Sequence, residues 1–78
     1  MNENSLMSLR AKAYRLCGQC RTPEQAIVAL RWLDRASRID PLIAGHEAFY
    51  VGLALGLLSP TERHTVLSRW ASVLGKRL

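Results

Sequence analysis

The chain has 78 residues, 49% of them hydrophobic and 22% charged, with 11 Lys and Arg against 6 Asp and Glu for a formal charge of +5. That is a folding composition for one small domain. It excludes a multidomain enzyme, a dinucleotide-binding βαβ domain of ordinary size and, with two cysteines, a disulfide scaffold.

The N-terminus Met1-Asn2-Glu3-Asn4-Ser5 has neither the basic nor the apolar region of a signal peptide. The expectation is a cytoplasmic setting with reduced thiols. A first helix is expected before Gly18. Leu6, Leu9, Ala13, Leu16 and Cys17 share one face, and Ser8, Lys12 and Arg15 lie opposite. Gly18 is the expected C′ stop.

The next boundaries are marked chemically. Pro23, Pro41 and Pro60 each follow a good N-cap residue: Thr22, Asp40 and Ser59. Proline suits the first helical position because its missing N–H would be unpaired there anyway. Thr22-Pro23-Glu24-Gln25 and Ser59-Pro60-Thr61-Glu62 also have capping-box form. Helices are therefore predicted from about 23, 41 and 60.

The second helix places Val28, Ala29, Leu30, Trp32, Leu33, Ala36 and Ile39 on a broad apolar arc, with Arg31, Asp34, Arg35 and Arg38 on the other side. The third, read as continuous from Leu42 to Leu58, is apolar almost all round. Gly45, Ala48, Gly52 and Gly56 form a stripe of small residues, and Leu42, Phe49, Tyr50, Leu53 and Leu57 form a bulky side expected to fill a core. Such a helix must be covered on every side, which predicts an apolar surface that docks a partner or a second copy. The fourth helix buries Val66, Leu67, Trp70, Val73 and Leu74 and exposes Thr65, Arg69, Ser72 and Lys76. No segment alternates as a half-buried strand would. The predicted fold is all-α: a bundle of about four short helices around a central apolar helix, spanning 1–78 as a single domain.

Catalytic chemistry has little to use. Cys17-Gly18-Gln19-Cys20 falls at a helix C-terminus, where the dipole disfavours thiolate, and no second pair of metal ligands accompanies it. The thiols read as small hydrophobes. Glu24 and Glu62 lie in first turns, Asp40 is a cap, and Asp34 is spaced to pair with Arg31 or Arg38. His46 and Glu47 point about 100° apart on a helix and form no dyad. The expectation is no enzyme, no metal and no cofactor.

Charge carries the positive signal. Residues 1–38 and 63–78 each carry a net +4, and residues 39–62 a net −3. Two functions follow. The first is protein binding through the third helix, with Tyr50, Val51 and Leu58 as apolar anchors and Arg31, Arg35 and Arg38 as a rim facing an acidic partner. The alternative is a small basic regulator, dimeric in one version, that follows a nucleic-acid backbone with Arg31, Arg35, Arg38, Arg69 and Lys76. The Gly56-Leu57-Leu58-Ser59-Pro60 turn is the nearest approach to a helix-turn-helix. Against nucleic acid stands the absence of aromatics interleaved with the bases.

Ala29, Leu33, Ala36, Asp40 and Pro41, followed by Glu47-Ala48-Phe49-Tyr50, resemble part of a tetratricopeptide unit, in which an Asp-Pro turn leads into a helix opening on an aromatic. Gly18-Gln19-Cys20, Glu24-Gln25-Ala26 and Leu30-Arg31-Trp32-Leu33 are similar to the small tetratricopeptide-like chaperones of type III secretion. The likeness covers about half the chain. It departs in lacking a second repeat, in a glycine after the aromatic and in basic charge. It implies a helical hairpin that binds a peptide or protein.

Overall fold

A computed structural model describes the backbone of residues 3–74 and the side chains of residues 7–70. The fold is all-α. Five helices follow in order: α1 (Glu3–Gly18), α2 (Pro23–Ser37), α3 (Pro41–Gly45), α4 (Glu47–Leu55) and α5 (Pro60–Leu74). There is no strand among the described residues.

The capping chemistry sets the starts. The Thr22 hydroxyl accepts from the Gln25 N–H at 3.2 Å, and the Gln25 side chain returns to the Arg21 N–H at 2.8 Å. At α5 the box is reciprocal. Ser59 Oγ accepts from the Glu62 N–H at 3.2 Å, and Glu62 Oε1 accepts from the Ser59 N–H at 2.9 Å. The bonds from the Gln25, Glu62 and Ser59 N–H groups satisfy donors that the start of a helix leaves orphaned, and the Arg21 N–H is held one residue before the α2 cap.

The segment read as one helix from Leu42 to Leu58 is two. The backbone breaks at His46 (φ −119°, ψ 25°). The His46 N–H reaches the Ile43 carbonyl at 3.1 Å in place of the Leu42 carbonyl, and the imidazole Nδ1 donates to the Leu42 carbonyl at 2.8 Å. The ring thus replaces the backbone donor that a continuous ladder would supply. Gly45, a weak helix former, precedes the break. Gly18 also departs from expectation. It is the last residue of α1 and does not adopt a left-handed φ.

The hub of the bundle is α2. It packs against α1, α3, α4 and α5, and α1 also packs against α4. Its inner face supplies Ala26, Ile27, Ala29, Leu30, Leu33 and Ala36 to the core, joined by Ala13, Cys17, Cys20, Ile43, Ala54, Leu58 and Val66. Helix α4 is therefore not central. It lies on one side of α2 and contributes one fully buried residue, Ala54. The shortest extent of the Cα trace is 17 Å. Helices pack about 8–10 Å apart, so that thickness admits two layers. Each helix then keeps a face toward solvent, which a polar helix tolerates and an apolar one does not.

A long-range polar contact ties α1 to the start of α3. Asp40, fully enclosed, receives Arg10 of α1 in two bonds, Nε to Oδ2 at 2.7 Å and Nη2 to Oδ1 at 3.2 Å. It also caps α3 by accepting from the Leu42 N–H at 3.1 Å. A buried carboxylate is tolerable when its lone pairs are so engaged. The guanidinium holds its carboxyl below the usual range against the opposing effect of burial.

Candidate functional site

The uncovered side of α4 is the most distinctive surface of the molecule. Phe49 and Leu57 are 52% and 56% exposed, and Tyr14 on α1 and Leu42 on α3 are also more than half exposed. Phe49 joins them. Its ring lies 6.2 Å from that of Tyr14 and meets Tyr50 edge-on at 5.3 Å, both inside the range of aromatic pairs. Two shallow hollows meet at Phe49. One, of about 550 Å³, is lined by Gly18, Ala48, Phe49, Gly52, Leu53, Gly56 and Leu57. The other, of about 220 Å³, is lined by Arg10, Leu42, His46, Phe49 and Tyr50.

The shape follows from helical spacing. Ala48, Gly52 and Gly56 recur every four residues and form a valley along the helix axis. Phe49 and Leu53 form the ridge beside it, and Leu57, in the turn after α4, lines the same hollow. Rows at i±4 are the ridges and grooves through which helices pack on one another. A Cβ added at Gly52 meets nothing within 4 Å, so the fold itself does not require glycine there.

Arginines stand at both ends. Arg63 Nε donates to the Leu55 carbonyl at 3.0 Å, satisfying an orphan acceptor in the last turn of α4. Arg10 lines the smaller hollow at the other end. Neither was singled out from the sequence. Reach across 8 and 30 residues depends on how the elements turn, which composition does not encode.

The residues expected to form the surface divide. Leu58 is 3% exposed and belongs to the core; assigning it to an interface is corrected. The phase slipped because Leu57 and Leu58 lie past the end of α4, where the chain turns toward α5. Tyr50 and Val51 are half-buried and pack against the core. Leu42, Phe49 and Leu57, read as core, are the exposed ones. Val28 on α2 and Ile39, just past its end, are likewise exposed and not part of the buried arc.

Arg31 and Arg35 on α2 and Arg38 at its C-cap are exposed and line neither hollow. Arg38 Nη2 pairs with Asp34 at 2.9 Å, as the i, i+4 spacing predicted. Arg69 approaches Glu24 at 3.9 Å. Lys76 lies outside the described residues, as do the side chains of Leu6, Ser72, Val73 and Leu74.

The thiols are buried and free. Burial, with a smaller contribution from neighbouring Cys20, pushes Cys17 up to about 11. Burial also raises Cys20, whose Sγ donates to the Leu16 carbonyl at 3.3 Å. A nucleophile or metal ligand needs thiolate, and these remain thiols at neutral pH. No three His, Cys, Asp or Glu side chains converge among the described residues. Among them, too, no helix is long and apolar enough to cross a membrane.

No protein-family model, curated protein or solved structure matches the chain.

Proposed function

We propose that the chain is a non-enzymatic helical module, acting in the cytoplasm, that binds another protein through the face shared by α1 and α4. An adaptor, a chaperone or an inhibitor of a larger assembly would all use such a face. The observation that carries the reading is that Phe49, exposed beside a valley of small residues with Leu57, also touches exposed Tyr14 and shares the smaller hollow with exposed Leu42. Single exposed hydrophobes are ordinary on any protein. A continuous apolar patch with a polar edge is characteristic of an interaction site. The arginine edge is Arg10 and Arg63 in place of the α2 arginines.

The test is selection of helical peptides from a displayed library against the wild-type chain, with the Phe49→Asp/Leu57→Asp double variant as counter-selection. Peptides that bind the wild type and lose at least tenfold on the variant, whose helicity is unchanged by circular dichroism, are the expected result. Peptides that bind both equally, or none, would overturn the reading. A parallel titration with labelled duplex DNA and single-stranded RNA at about 150 mM salt addresses the basic-regulator alternative. Micromolar binding there that survives the double variant and disappears with Arg31→Glu/Arg35→Glu would replace protein binding as the function.

A further inference from the structure

We infer that the occupant of the α4 valley is an amphipathic helix whose apolar stripe is flanked by acidic side chains, carried by a different protein. This rests on the protein-binding reading above and names the chemistry of the partner.

The geometry selects a helix. The described fold has no sheet edge for an added strand, and rows of side chains at i±4 are what a helix laid in a groove packs against. The helical part of the valley runs from Ala48 to Leu55, about 10 Å at 1.5 Å per residue. That length meets about two turns, or apolar anchors at i, i+3 or i+4, and i+7. The small floor lets the incoming backbone approach, and the Phe49–Leu53 ridge enters the groove between its side-chain rows.

Charge selects the flanks. No residue lining either hollow is acidic. Of the described acids, Asp34, Asp40 and Glu62 have local partners, Glu24 faces Arg69, and Glu47 in the first turn of α4 lines neither hollow. The cations around the valley lack that compensation at the end where Arg63 stands. Its Nε is used by the Leu55 carbonyl, and the two Nη groups of the fork are available to a carboxylate. Arg15 is a further exposed charge on α1, though it lines neither hollow. A second copy of this chain would bring +5 against +5, which the same argument disfavours.

Three synthetic 18-residue helical peptides test this. They share one leucine stripe and differ only in flanking residues: Glu, Gln or Lys. Each is labelled and titrated by fluorescence anisotropy against the full chain. The Glu peptide should bind about tenfold more tightly than the Gln peptide, and the Lys peptide more weakly still, since a few rim charge pairs of modest strength combine to that order. The Glu advantage should vanish at about 1 M salt, where the Debye length is roughly 3 Å, and shrink in Arg63→Gln. All binding should be lost in Phe49→Asp.

Equal binding of all three peptides, lost in Phe49→Asp, would refute the acidic flank and leave the groove standing. Binding that ignores Phe49→Asp, or none at millimolar peptide, would remove the groove as well. Sedimentation equilibrium supplies the last arm. Self-association at micromolar concentration that Phe49→Asp abolishes would make a second copy the occupant and overturn the inference.

Discussion

Leu57 and Leu58 are adjacent, identical in chemistry and opposite in environment, so truncating each to alanine separates surface from core in one experiment. Leu58 is 3% exposed and Leu57 is 56% exposed. Leu→Ala removes roughly three methylene equivalents at about 0.8 kcal/mol each when the side chain is fully buried. At Leu58 a cavity is added, which brings the loss to about 2.5–4 kcal/mol. At Leu57 more than half of the side chain already meets water and no enclosed cavity is left, so the loss is about 1 kcal/mol or less. A core of this size supplies on the order of 3–5 kcal/mol in all. Leu58→Ala therefore removes most of the stability and Leu57→Ala little. Urea titration followed by far-ultraviolet circular dichroism reads the difference. With a slope near 1 kcal/mol per molar urea for a small domain, the midpoint should fall by roughly 2–4 M for Leu58→Ala and by less than about 1 M for Leu57→Ala. Peptide binding should show the reverse emphasis at Leu57, weakening in a variant that remains folded. Equal midpoint shifts, or a larger one at Leu57, would place the turn after α4 in the wrong phase and dissolve the exposed apolar face.

Four further outcomes are expected. Thr22→Ala and Ser59→Ala each remove an N-cap acceptor at 3.2 Å and should cost about 1 kcal/mol in urea melts. Asp40 has a folded pKa held below its unfolded value by Arg10; its contribution is complete above about pH 4 and is lost as pH falls through the folded value. Asp40→Asn should be less stable at pH 7 and show a shallower decline between pH 5 and pH 2 in midpoint-against-pH measurements. The buried thiols should resist iodoacetamide at pH 7.5 in the native chain and label in urea in step with the loss of circular dichroism. Gly52→Ala meets open space and should raise stability by roughly 0.5–1 kcal/mol in the same melts, while weakening the leucine-stripe peptides by narrowing the valley they enter.

What could be read from residues alone was what is local. Thr22, Asp40 and Ser59 announce α2, α3 and α5 to the residue, because capping is decided within three positions. The Asp34–Arg38 pair is equally local. The break at His46 was hidden because Leu42 to Leu58 stays apolar through it, and only the ring bonding back to the Leu42 carbonyl interrupts the ladder. Asp40 was legible as a cap but not as the partner of Arg10, thirty residues earlier. The site suffered most. An amphipathic helix carries its own phase, since its polar residues mark the outside. A helix apolar all round carries none. Phe49 and Leu57 were therefore assigned inward and Leu58 outward, and only packing against α1 and α2 decides between them.

The apolar face and the basic charge act on the same choice of partner. An exposed apolar pair such as Phe49 and Leu57 promotes indiscriminate association unless something opposes it. Polar side chains at those two positions would cost the free fold little, because exposed sites contribute little to stability. The net charge of +5 supplies the opposition: it repels further copies of the chain and other cationic surfaces. The same charge, with Arg63 at the last turn of α4 and Arg15 exposed on α1, lowers the barrier to an acidic partner. Neutralising Arg63 and Arg15 together should then have two linked effects, weaker capture of the Glu-flanked peptide and stronger self-association through Phe49. Apolar contact sets how firmly a helix is held, and charge sets which helix arrives.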